Sequence, residues 1–302
     1  MPNARGKWKD RWIYRIVSLF GWWCRQLPKE WALQFGRGIG ILFYHVSKKR
    51  REIALHNLQI AFGSQLTTAQ GREICKASFI NVGKTCIEFL RFPKLNAENI
   101  WNEVTVEGGE NLHAALEGGK GAIVFLAHFG NWELLSLVYG ALIPDRAKAI
   151  AFPIKNDLLN TYIWQHRQQM SLKLIPRKQA VRETLRALKN NEAVGFFADQ
   201  NAGPEGVFVE FLGKTASAAR GPAVLALKTG APLLFSLDIR HPDGQHHVYI
   251  STPIYTEPSN NFEQDVELYT TQMLKQLETY IHKYPEQWLW LHNRWKTQPH
   301  SD

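Results

Sequence analysis

The chain has 302 residues, 45% of them hydrophobic and 21% charged. That balance excludes a disordered polymer and suffices for one large domain, or one domain with an appended module. Three cysteines (Cys24, Cys75 and Cys86), odd in number and without a CxxC pair, argue against a disulfide framework or a zinc site and fit a reducing compartment.

The net charge of +9 is unevenly spread. Residues 1–51 carry twelve Lys and Arg against only Asp10 and Glu30, a net +10, and the other 251 residues come to −1. The same segment holds Trp8, Trp12, Trp22, Trp23 and Trp31, five of the eleven tryptophans. Cations suit anionic headgroups, and indoles suit the boundary between headgroup and acyl chain. The segment therefore reads as helices lying on a membrane surface; the competing reading is a helical subdomain with a basic, solvated face. Nucleic-acid binding is a third reading, and no nucleic-acid partner is expected, because the rest of the chain is neutral and carries no recognisable readout motif. Arg15 breaks the apolar run Trp12 to Cys24, and Gln34 and Arg37 break Trp31 to Val46. Neither reaches the ~20 apolar residues of a transmembrane helix, and neither has the form of a signal peptide.

Residues 10–95 read as successive helices. Leu66, Ile74, Phe79, Val82, Cys86, Phe89 and Leu90 make a buried helical stripe that closes at Phe92-Pro93-Lys94. From about residue 100 the pattern alternates. Strands are predicted at 104–106, 122–126, 148–152, 171–175, 193–198, 232–239 and 247–251. Helices are predicted at 109–116, 132–142, 158–170, 180–188, 222–228 and 262–284. The fold class is α/β, a mostly parallel sheet covered by helices, with residues 1–95 as a helical membrane-associating module and 96–302 as the catalytic domain. In such sheets ligands bind beyond the carboxyl ends of the strands.

The unbroken apolar strand Ala122–Leu126 leads into Ala127-His128-Phe129-Gly130-Asn131-Trp132-Glu133. Asn131 is a plausible N-cap, which puts Glu133 in the first helical turn. His128 and Glu133 then form a general base and its orienting carboxylate, with helix-start amides available to an anionic intermediate. The competing reading is a hydrogen-bonded loop histidine beside a first-turn carboxylate. Other strand ends supply Asp199 and Gln200, Lys155 and Asn156, and Arg177 and Lys178. There is no GxSxG elbow, P-loop, GxGxxG after a strand or HExxH, so no nucleophile, metal or cofactor is called for.

These residues resemble the late acyltransferases of lipid A biosynthesis. The resemblance rests on the HxxxxE motif from His128 to Glu133, on Leu174-Ile175-Pro176-Arg177-Lys178, and on Asp199-Gln200-Asn201-Ala202-Gly203. Gly221-Pro222-Ala223 through Pro232 and Pro285-Glu286-Gln287-Trp288 through Lys296 extend it. It implies a glycerolipid-acyltransferase-like fold at the cytoplasmic face of a bacterial inner membrane. It also implies an acyl-carrier-protein thioester as donor and a phosphorylated glycolipid as acceptor. Lys155, Arg177 and Lys178 would bind phosphate or carboxylate groups, Asp199 would position the acceptor or one of these cations, and Arg294 would contact an anion. The aromatic C-terminal motif is expected to pack the sheet edge. Phe152 stands where relatives often have arginine and Arg220 where a small hydroxyl residue is usual, both bearing on acceptor choice. Phosphatidylinositol mannosides or lysophospholipids are the alternative acceptors. A thioesterase using the same base on water, and a non-catalytic membrane- or polyanion-binding protein, are the rival functions.

Overall fold

The computed structural model describes residues 4–299. Four helices come first: α1 (Ala4–Gln26), α2 (Lys29–Val46), α3 (Lys48–Phe62) and α4 (Thr68–Arg91). A capping box fixes the start of α4: Thr67 Oγ1 accepts from Gln70 N–H, and the Gln70 side chain accepts from Thr67 N–H. Helix α2 comes closest to α4 at glycines, where backbone meets backbone. A Cβ on Gly40 would come 2.5 Å from Ile80 Cα, and one on Gly83 would come 2.3 Å from the Gly36 carbonyl oxygen. Among the described residues no helix is long and apolar enough to cross a membrane.

Seven strands form the main sheet: β1 (Val104–Glu107), β2 (Ala122–Leu126), β3 (Ala147–Ala151), β4 (Lys173–Pro176), β5 (Ala193–Phe197), β8 (Leu233–Arg240) and β9 (His246–Ile250). Their order is β1-β9-β8-β2-β5-β3-β4, and every pairing is parallel except β8 with β9. Between β5 and β8 the chain makes a hairpin that the sequence reading leaves unassigned, β6 (Val207–Phe211) with β7 (Lys214–Ala218).

Helices cover both faces, as a parallel sheet requires. Alternate side chains of β2 divide between two cores. Ile123 and Phe125 join the apolar faces of α3, α4, α9 (Gly221–Thr229) and α10 (Phe262–Lys283). Ala122, Val124 and Leu126 join α5 (Gly109–Glu117) and α6 (Leu135–Leu142). The periphery carries α7 (Asp157–Arg167) and α8 (Ala180–Lys189). Strand β8 is buried throughout, yet its alternate residues Ser236, Asp238 and Arg240 are polar.

Candidate active site

The parallel register places the central pair of side chains. Leu126 of β2 is opposite Phe197 of β5, so the residues two further on, His128 and Asp199, emerge side by side at the carboxyl edge. Asp199 is buried and accepts three N–H groups. His128 Nδ1 lies 2.7 Å from Oδ1; the His128 backbone amide and the Trp288 indole N–H donate to Oδ2 at 2.9 and 3.0 Å. Burial alone would raise this carboxyl, but the His128 imidazole and these hydrogen bonds outweigh it and hold Asp199 below the usual carboxylate range. An ionised carboxylate only accepts, so in the neutral imidazole it selects the Nδ1–H tautomer, whose lone pair is on Nε2. Phe197 and Trp132 flank the imidazole, with ring centroids at 4.7 and 5.6 Å.

Glu133 is not the partner of His128. Its two oxygens receive a bidentate fork from Arg167 at the end of α7, at 2.7 and 2.6 Å. Nor does Asn131 cap a helix. Residues 131–134 form a turn, α6 begins at Leu135, and the Asn131 amide nitrogen reaches across to Glu88 of α4 at 2.9 Å. Glu133 therefore precedes the helix instead of occupying its first turn, and an arginine distant in sequence claims it.

The remaining predicted residues divide. Lys155, Arg177 and Lys178 are exposed, and the Arg177 guanidinium stacks on Phe152 at 4.6 Å. Asn156 is buried and occupied by structure: it caps α7 through Leu159 N–H and donates to the Asp10 carbonyl. Gln200 follows Asp199 at the same edge and is half-buried. Arg294 is fully buried, donates to the Ser217 carbonyl and lies over the Phe211 ring, and its Nε and Nη2 have no hydrogen-bond partner among the described residues. Burial lowers its guanidinium, Asp199 opposes this, and the balance falls at about 10. Arg220 pairs with Glu263 at 2.7 Å.

Trp288 packs the C-terminal segment into the core as expected, but its indole also belongs to the histidine–aspartate pair. The segment meets the His128 loop directly: Leu289 N–H donates to the His128 carbonyl, and Gly130 N–H to the Gln287 carbonyl. Gly130 is at φ +54°, where an added Cβ would lie 2.2 Å from the Asp238 carbonyl oxygen, so only glycine fits.

A neutral imidazole held by a buried carboxylate, with its outer nitrogen unprotonated, is equipped to take a proton from a hydroxyl. The comparisons with known proteins then fix the class: the chain is an acyltransferase. It is 28% identical to the lipid A biosynthesis lauroyltransferase of Escherichia coli (strain K12) over 282 residues, covering 92% of this chain and 89% of that protein. Identity to the palmitoleoyltransferase of the same organism is 28% over 280 residues, with the same coverage. A phosphatidylinositol mannoside acyltransferase of Mycobacterium tuberculosis is 29% identical over 167 residues, 52% of each chain. A family model described as bacterial lipid A biosynthesis acyltransferase matches residues 5–297, and the chain belongs to that family.

Proposed function

We propose that this protein moves a fatty acyl chain from an acyl-carrier-protein thioester to a hydroxyl of a phosphorylated glycolipid, a lipid A precursor, at the cytoplasmic face of a bacterial inner membrane. His128 Nε2 takes the proton of the acceptor hydroxyl while Asp199 holds Nδ1–H and stabilises the imidazolium. The oxygen attacks the thioester carbonyl. The resulting oxyanion collapses, the C–S bond breaks, and the imidazolium returns its proton to the departing thiolate. Direct transfer needs no enzyme nucleophile.

The observation that carries this reading is the 2.7 Å contact between His128 and the buried Asp199. Glu133 has a different part in it from the one the motif spacing suggests. Saturated by Arg167, it orients that guanidinium as a cation for acceptor phosphate. Lys155, Arg177 and Lys178 extend the cationic rim, with Gln200 as a polar contact beside it. The neighbouring helices favour a lipid surface: Trp8, Trp12, Ile16, Leu19, Trp22 and Trp23 of α1 and Trp31 and Leu42 of α2 are all exposed, in the segment of net charge +10. The match to a phosphatidylinositol mannoside acyltransferase keeps a mannosylated phospholipid as the second acceptor to try.

The test is transfer from radiolabelled acyl-carrier protein to the lipid A precursor. His128→Ala is expected to lower kcat by about 10³-fold with the fold intact, within the range of general-base catalysis, and Glu133→Gln to cost less. Undiminished turnover in His128→Ala would overturn the mechanism. Labelled free fatty acid in place of acylated lipid would make the enzyme a thioesterase.

A further inference from the structure

Behind the His128 loop lies a second group of buried polar residues to which the acyl-transfer chemistry gives no part. Glu88 comes from α4; Asp238 and Arg240 come from β8; His246 opens β9. Arg240 Nη1 binds Glu88, its Nε donates to Asn81 Oδ1 at 3.0 Å, and its Nη2 donates to Thr85 Oγ1 at 3.2 Å. His246 Nδ1 lies 2.9 Å from Asp238 Oδ2. Two carboxylates, a guanidinium and an imidazole thus interlock with little exposure to water.

Four hydrogen-bonding arms of this cluster reach one short stretch of chain, Gly130-Asn131. Asp238 Oδ2 accepts Asn131 N–H at 2.6 Å, and Glu88 Oε2 accepts the Asn131 side-chain amide at 2.9 Å. Asn81 Nδ2 and Thr85 Oγ1 both donate to the Gly130 carbonyl, at 2.9 and 3.1 Å. Asn81, Thr85 and Glu88 are spaced four and three residues apart, so they form one face of α4. On the other side the C-terminal segment takes Gly130 N–H and the His128 carbonyl. The peptide path from His128 to Asn131 is therefore gripped from α4, from β8 and from residues 287–289.

Buried charge is a poor source of stability, since well-packed apolar residues of similar volume often do as well or better. A fully connected polar cluster instead specifies one geometry. We propose that Glu88, Asp238, Arg240 and His246 are positioning residues, and that with Asn81 and Thr85 they set the path of Gly130 and Asn131 that delivers His128 to Asp199. The proposal rests on the reading of His128 as the base. The four residues act through the loop and not on the substrate.

The test measures kcat and KM per folded molecule, with folding followed by circular dichroism and thermal unfolding. Glu88→Ala and Asp238→Ala are each expected to lower kcat at least 30-fold and to leave KM for the acyl donor within threefold. Glu88→Gln is expected to recover most of that loss. The Asn131 Oδ1 atom lacks a partner, so a half-turn of its amide presents an acceptor to the new NH₂ group. In an Asp199→Asn background, Glu88→Ala is expected to cost no more than about threefold further, because interacting sites are not additive. If the alanine variants do not fold, Thr85→Val provides the same comparison with one hydroxyl removed, and a several-fold fall in kcat at constant KM is expected. Wild-type kcat in the folded variants while His128→Ala is inactive, or losses that multiply with Asp199→Asn, would overturn the proposal alone. Undiminished turnover in His128→Ala would overturn the base and the positioning together.

Discussion

Changing Asp199 to asparagine keeps the shape of the side chain and alters one atom's chemistry. Oδ2 receives two N–H donors, from the His128 backbone and the Trp288 indole, so the amide oxygen of the variant takes that place. Its NH₂ group then faces His128 Nδ1, which must accept. The ring proton moves to Nε2, the atom that has to take the hydroxyl proton. In a serine-protease triad the corresponding aspartate-to-asparagine change lowers kcat by about 10⁴, which is roughly 5 kcal/mol at 1.36 kcal/mol per decade. Here Asp199 acts through His128, so the loss is expected to approach but not exceed the roughly 10³-fold fall of His128→Ala, about 4 kcal/mol, in the labelled transfer assay, with KM nearly unchanged. Stability falls as well: the depressed Asp199 carboxyl contributes at neutral pH and loses that contribution as pH drops through its folded pKa, a pH dependence the variant lacks. Turnover within tenfold of wild type, in a preparation where His128→Ala is inactive, would show that Asp199 does not orient the base.

Three further outcomes follow from the packing and the charges. Trp288→Phe removes one donor to the Asp199 carboxylate and is expected to cost about 2 kcal/mol of stability, with a several-fold fall in kcat, measured by urea unfolding and initial rates. Gly83→Ala drives a methyl group against the Gly36 carbonyl and is expected to cost about 1–3 kcal/mol, seen as a lower thermal midpoint. His246 supplies a pH signature: burial lowers it, but Asp238 and Glu88 raise it further, to about 9. Its contribution, at most about 3 kcal/mol, is complete below pH 6.5 and is lost as pH rises through 9; the Arg240 guanidinium also faces the ring, with Nη1 3.4 Å from Nε2. Thermal unfolding of wild type is therefore expected to weaken between pH 6.5 and 9, while His246→Gln shows a flatter profile.

The alternation of apolar strands and amphipathic helices is enough to read the mostly parallel sheet, and the strand ends named from it are where His128 and Asp199 meet. His128 and Asp199 both stood out on that ground. What linear spacing could not give is which strands are neighbours. The β2–β5 register makes Asp199, not Glu133, the partner of His128, and Arg167, an unremarkable residue at a helix end, claims Glu133. The antiparallel β9 and the β6–β7 hairpin were also out of reach, since a strand's direction is set by its neighbour. One signal was there to be used. Ser236, Asp238 and Arg240 alternate within an otherwise apolar strand, and Asn81, Thr85 and Glu88 repeat along one helix face. Polar residues at structural periodicity inside buried elements announce partners in the interior.

The loop bearing His128 is paired along its backbone with residues 287–289, about 160 positions later in the chain. At the roughly 5–20 residues per second of protein synthesis, those partners leave the ribosome some 10–30 s after the histidine does. The cationic, tryptophan-rich helices precede both in the chain. A fragment ending before Gln287 would thus carry the histidine and the aspartate without the backbone partners that hold the histidine's loop.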